Sequence, residues 1–234
     1  MNFLELHNKV FDRLRENRIV SSDIGNDPYV NSISAHINDA KDTVQNAWNW
    51  GVLRGEDTIA GTQGNEILEL TGSGDTNYLI NGILCVDTGL FLRQRETAYM
   101  AEAYANDAND PVGEAVPREF ALYYNNSSTG DIQVRMNPRP EADYTFKVFR
   151  IQDRADLVNY DDVLLLPALP VYSLATALAS RERGDLNGTP TSELFMLADA
   201  HLSDAIAMDS ALYPEDTTWF VAENPAETNV RYNY

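Results

Sequence analysis

At 234 residues and 44% hydrophobic content, the chain can bury roughly 70% of its unfolded surface and needs neither disulfides nor a metal to hold a core. Its single cysteine, Cys85, falls within the apolar run 78–86 and reads as a small buried hydrophobe, not a reactive thiol. With 36 acidic residues against 17 basic, a net charge of −19 and a pI near 4.3, the surface opposes tight binding to phosphate backbones.

The first residues, MNFLELHNKVFDRLRENR, alternate charges with hydrophobes and lack the apolar core of a secretory signal, so synthesis in the cytoplasm is expected. No stretch approaches the roughly 18 continuous apolar residues of a membrane span. Residues 2–16 place Phe3, Leu4, Leu6, Val10, Phe11 and Leu14 at helical spacing, with His7 assigned to the polar face. Asp27 followed by Pro28 is an N-cap and first-turn pair for a second helix running to about Trp50. The short loop between these helices predicts an antiparallel pair.

After Gly51 the texture changes, and glycines punctuate short β-type runs, chiefly 66–70 and 77–86. A weak apolar side predicts a helix over 93–105, followed by a loop over 106–117. Residues 119–124 and 131–136 flank the polar turn 125–130 and predict a hairpin. The alternation in DYTFKVFRIQ, residues 143–152, predicts a third antiparallel strand. The C-terminal third returns to helix. Pro170 opens one that stops at Gly184 after Arg181 and Arg183, and Thr189–Pro190 opens another with Leu194, Leu197, Ala198, His201, Leu202, Ala205 and Ile206 on its core face. Beyond Leu212 the chain is rich in aromatic residues and proline.

Little in the sequence points to catalysis. His7, His36 and His201 lie in three separate helical segments, with no second ligand at metal spacing. Asp185, Asn187, Gly188 and Glu193 resemble a fragment of a calcium loop but are too short for the twelve-residue pattern. They read instead as a turn between helices. Asp161–Asp162 and the 107–110 acid cluster lack a partner base or cation and read as solvated acids. The sequence predicts no catalytic residue, no cofactor and no metal site.

The order of elements carries more. The opening MNFLELHNKVFDRL, the second helix HINDAKDTVQNAWNW, the strand–Pro-x-Pro–strand element GDIQVRMNPRPEADYTFKVFRI, and DLVNYDDVLLLPALPVYSLATALASRERG stand in sequence. Together they resemble the head-to-tail adaptor, or neck, proteins of tailed bacteriophages, which dock on the portal. The resemblance covers roughly residues 1–50 and 119–210.

This resemblance implies a non-enzymatic virion protein at the head–tail junction. Its subunits form a ring, usually of twelve, that joins portal to tail and lines the DNA exit channel. The implied partners are further copies of itself, the portal protein, a downstream tail or nozzle protein, and double-stranded DNA that passes through without specific binding; no membrane is involved. Twelve chains of −19 would place roughly −230 charges around the channel, which suits DNA that slides and does not stick. The expected fold class is α+β: helical hairpins from the N- and C-terminal parts packed together, a small antiparallel β-sheet or β-hairpin region, and an extended C-terminal arm. Residues 1–212 are expected as one adaptor domain, helical over 1–50 and 168–212 and β-rich over 51–160, with 213–234 as a docking arm. In that arm Tyr213, Trp219, Phe220, Tyr232 and Tyr234 are the expected partner-interface residues, since such side chains dominate interfaces. A stopper or tail-terminator ring protein is the alternative, and an acidic metal-dependent hydrolase a distant one.

Overall fold

The fold is a computed structural model that describes residues 1–71, 78–107, 114–124, 130–184 and 191–212. The described residues form a helical unit, from 1–52 together with 154 onward, and a β unit from 53–153.

In the helical unit, α1 (Phe3–Leu14) begins with a reciprocal cap: the Asn2 side chain accepts from the Glu5 N–H and the Glu5 carboxylate accepts from the Asn2 N–H. It ends where Arg15 turns left-handed, φ 60°. In α2 (Pro28–Ala47) the Asp27 carboxylate accepts from the Tyr29 N–H at 2.7 Å, as the Asp-Pro pair predicts. Its C-terminus lies before Trp48, which is extended, and Trp50 is buried with its indole N–H donated to the Val44 carbonyl at 2.7 Å. α4 (Ala168–Arg183) closes on Gly184 at φ 61°, as the sequence predicts. α5 (Thr191–Leu212) completes the unit.

Helix α4 is the hub. Its buried residues are mostly small, including Ser173, Ala175, Thr176, Ala177 and Ala179, so α1, α2 and α5 can all approach it closely. The expected pairing of α1 with α2 is therefore minor; each lies more extensively on α4 than on the other.

The β unit holds seven strands: β1 (Arg54–Gly61), β2 (Ile67–Leu70), β3 (Tyr78–Cys85), β4 (Leu90–Gln94), β5 (Glu119–Tyr124), β6 (Ile132–Asn137) and β7 (Tyr144–Gln152). One further helix, α3 (Thr97–Asp107), lies between β4 and β5 in the chain. The strands form one mixed sheet in the order β1-β7-β3-β4-β5-β6-β2, antiparallel except where β4 meets β5. β1 and β2, at opposite ends of that order, come alongside each other without a ladder, so the sheet is a nearly closed barrel. Its core gathers Leu68, Ile83, Cys85, Phe120, Val134, Met136, Phe146 and Val148.

This corrects the expected fold class. The chain is α/β, with five helices and a seven-stranded mixed sheet among the described residues, not helical hairpins beside a small β-hairpin. The β5–β6 hairpin forms as expected, although most of its turn, 125–129, lies outside the described residues. β7, however, does not extend that hairpin. It lies between β1 and β3, antiparallel to both. An extra residue on β3 between Ile80 and Gly82 interrupts the register, and inward burial on β7 passes from Phe146 and Val148 to Ile151. The helix expected over 93–105 begins only at Thr97, because Arg93 and Gln94 pair in parallel with Glu119 and Phe120.

Candidate interaction surface

The segment that follows β7 wraps the start of α1. Phe3 N–H donates to the Asp162 carbonyl at 2.8 Å and Leu4 N–H to the Tyr160 carbonyl at 3.1 Å, supplying acceptors for donors that a first helical turn leaves open. Leu164 N–H donates back to the Met1 carbonyl at 3.0 Å, and Asn2 bridges Val163. The Asp162 carboxylate accepts from the N–H groups of Asn159 and Val158, both at 2.7 Å. Those two bonds hold its pKa below the usual carboxylate range. Of the two residues read as solvated acids, Asp161 faces solvent, while Asp162 is a turn device committed to backbone donors.

The result is an apolar ledge with a fixed backbone. Leu157, Leu164 and Leu166 point inward and are buried. Val158, Tyr160, Val163, Leu165 and Leu169 point outward, with Val158 67% and Val163 58% exposed. Residues 163–166 are four consecutive apolar residues in the sequence, a pattern that reads as a buried run; only their burial alternates.

The second surface is α5. Ala198 alone of its residues is buried, although Leu194, Phe195, His201, Leu202, Ala205 and Ile206 are half-buried on the side facing α4. Leu197, expected on the core face, is exposed. Met196 and Met208 are each 71% exposed and Leu212 is 75% exposed. Asp209 secures the helix: its carboxylate accepts from the Trp48 indole at 3.0 Å and from Gly51 N–H at 3.1 Å.

The three histidines are separate and each has a local partner. His7, assigned to the polar face by sequence, is fully buried. Its Nδ1 donates to the Phe3 carbonyl at 2.9 Å, its Nε2 lies 2.8 Å from the Ser34 hydroxyl, and burial pushes its pKa down. His36 meets Glu182, whose carboxyl is held low by that contact and by Ser32. His201 Nδ1 lies 2.9 Å from the Ser173 hydroxyl, which also accepts from Arg13 at 2.9 Å. A Ser–His contact suggests a nucleophile and base, but Ser173 is buried in the middle of α4, where the N–H groups that would stabilise an oxyanion are spent on the helix ladder. The triad ties α1, α4 and α5 together.

Among the described residues, no three His, Cys, Asp or Glu side chains are grouped to hold a metal ion. Asp185, Asn187 and Gly188 lie outside the described residues, as do Asp110, Thr189 and Pro190, while Glu193 is exposed on α5. The expected interface residues Tyr213, Trp219, Phe220, Tyr232 and Tyr234 likewise lie outside the described residues. Cys85 is buried in the sheet core. The chain matches no family model and no curated protein.

Proposed function

We propose that this chain acts structurally, as the subunit of a head-to-tail connector ring in a tailed-phage virion, docked on the portal and lining the DNA exit channel. The observation that carries the reading is the ledge over 158–169. Its large apolar side chains face outward while its backbone is already held by α1 and Asp162. A surface ordered in advance loses little entropy on association, as an assembly contact requires. Two further points support it: the ordered resemblance of the helix, strand and Leu-Pro motifs, and a charge of −19 suited to a channel that does not retain DNA. In this reading Tyr213, Trp219, Phe220, Tyr232 and Tyr234 supply a second contact to the portal.

The nearly closed seven-stranded sheet favours one other reading, a stopper or tail-terminator ring, because such rings are richer in β-structure. Electron microscopy of the full chain, alone and mixed with purified portal, separates the two. The connector reading predicts decorated portals, lost in Tyr160→Asp/Val163→Asp and weakened by deletion of residues 213–234. Rings that form without engaging portal would favour the stopper reading, and persistent monomers that ignore portal would sink both.

A further inference from the structure

Strand β1 has an edge that no described strand pairs with, and the register fixes which backbone groups lie on it. On β7, Thr145 turns toward β3: its N–H donates to the Asp87 carboxylate at 2.6 Å and its carbonyl accepts from Val86 N–H at 2.8 Å. Phe146 and Val148 therefore turn toward β1, where they pair with Ile59 and Asp57. Glu56 and Thr58 direct their N–H and C=O groups the other way. No ladder joins β1 to β2, and β2 has four residues against the eight of β1, so about half of this edge extends past it. Ile59 packs against the sheet core yet is only half-buried, and a cleft of about 410 Å³ lies beside it, lined also by Ile67 and Leu68.

We propose that residues 228–234 of this chain add to β1 here as an extended strand. The backbone decides the kind of occupant. Donors and acceptors repeating every second residue along one edge are matched by another extended strand, not by a helix. Side chains decide which strand. At this place one face lies on the sheet interior and the other in solvent, which calls for alternation. TNVRYNY supplies it, with Thr228, Val230, Tyr232 and Tyr234 on one side and Asn229, Arg231 and Asn233 on the other. Arg231, the only cation of residues 213–234, then falls on the outer face, where the Glu56 carboxylate already accepts from Lys147 at 2.9 Å. Opposite charges across neighbouring strands attract. The run 217–222, TTWFVA, is apolar on both sides and does not suit an edge. The other segments outside the described residues, 72–77, 108–113, 125–129 and 185–190, contain glycine or proline or lack any apolar residue. Residues 213–227 tether the strand to α5 with a reach of up to about 50 Å, and tethering raises its local concentration at the edge. This inference does not rest on the connector reading; it narrows the second portal contact of that reading to Tyr213, Trp219 and Phe220.

Hydrogen exchange of the full chain, followed amide by amide by NMR, tests the pairing. The N–H groups of Glu56 and Thr58 are expected to exchange at least about tenfold more slowly than in Arg231→Pro/Tyr232→Pro. Adjacent prolines remove a paired donor whichever way the added strand alternates, and they leave the described residues untouched. Asp57 and Ile59, bonded to β7, are expected to exchange alike in both, which shows that the sheet is intact. Deletion of residues 228–234 is expected to act as the prolines do. Exchange of Glu56 and Thr58 that is equal in the full chain and in both variants overturns the inference. Tyr160→Asp/Val163→Asp is expected to lose portal docking while keeping this protection, so the two readings fail separately.

Discussion

The Lys41 ammonium, 1% exposed, lies 2.9 Å from the Asp156 carboxylate and also donates to the carbonyls of Arg154 and Ala155, at 3.0 and 3.1 Å. Asn38 and Gln45, on the same side of α2, extend this contact: Asn38 exchanges two hydrogen bonds with Leu157, and Gln45 accepts from Arg154 N–H. One polar stripe of a helix thus takes the place of a strand edge for residues 154–157. Lys41→Met would leave two carbonyls without their donor, at an expected cost of about 2–4 kcal/mol. Asp156→Asn, whose side chain is 61% exposed, should cost less than about 1 kcal/mol. Urea unfolding followed by fluorescence of buried Trp50 measures both.

His7 predicts a pH dependence. Its folded pKa is below the unfolded value of about 6.5. Between those two values the unfolded chain binds more protons, so stability rises with pH. The contribution is fully present above the unfolded pKa and is lost as pH falls toward the folded one. Thermal unfolding at pH 7.5 and pH 5.5 should show this loss, and His7→Gln should flatten it. An identical slope in the variant would assign the effect elsewhere. Asp162 and Glu182, held low, lose their contributions only at more acid pH, as it falls through their folded values.

Gly61 is required by close approach. A Cβ there would lie 2.6 Å from Cε2 of Phe146, a fully buried ring of the sheet core. Gly61→Ala should destabilise the β unit by about 1–3 kcal/mol, the range for overpacked cores. At Gly55 the nearest atoms belong to the Arg150 side chain at 3.8 Å, so Gly55→Ala should be tolerated. Matched denaturation curves of the two variants test the contrast.

Asp209→Ala should release the Trp48 indole and Gly51 N–H together. The expected loss is about 1–2 kcal/mol, with a red-shifted tryptophan emission as Trp48 meets more water. Asp209→Asn retains an acceptor oxygen and should recover most of it.

The parts of the fold legible in sequence are those set by neighbours a few residues apart. The Asp27–Pro28 start, the Gly184 stop and the β5–β6 hairpin follow from capping, positive φ and alternation. β1 was not legible, because RGEDTIAG has almost no apolar alternation. It is held by its ladder to β7 and by the pairs Glu56–Lys147 and Asp57–Arg150. Arg93 and Gln94, the end of β4, fall within the stretch whose pattern predicts a helix, because their parallel partner β5 lies beyond α3 in the chain. Of the candidate surfaces, the apolar residues of 163–166 were visible, but not which of them face solvent.

By itself, then, the sequence determined the acidic surface, the helix boundaries at Asp27 and Gly184 and the buried state of Cys85, since composition and local backbone chemistry suffice for each. Only the tertiary structure decided the strand order, the burial of His7 and the outward faces of 158–169 and α5. These depend on which distant segment covers a side chain. An amphipathic pattern specifies that a face can be buried, but not whether anything in the same chain is there to bury it.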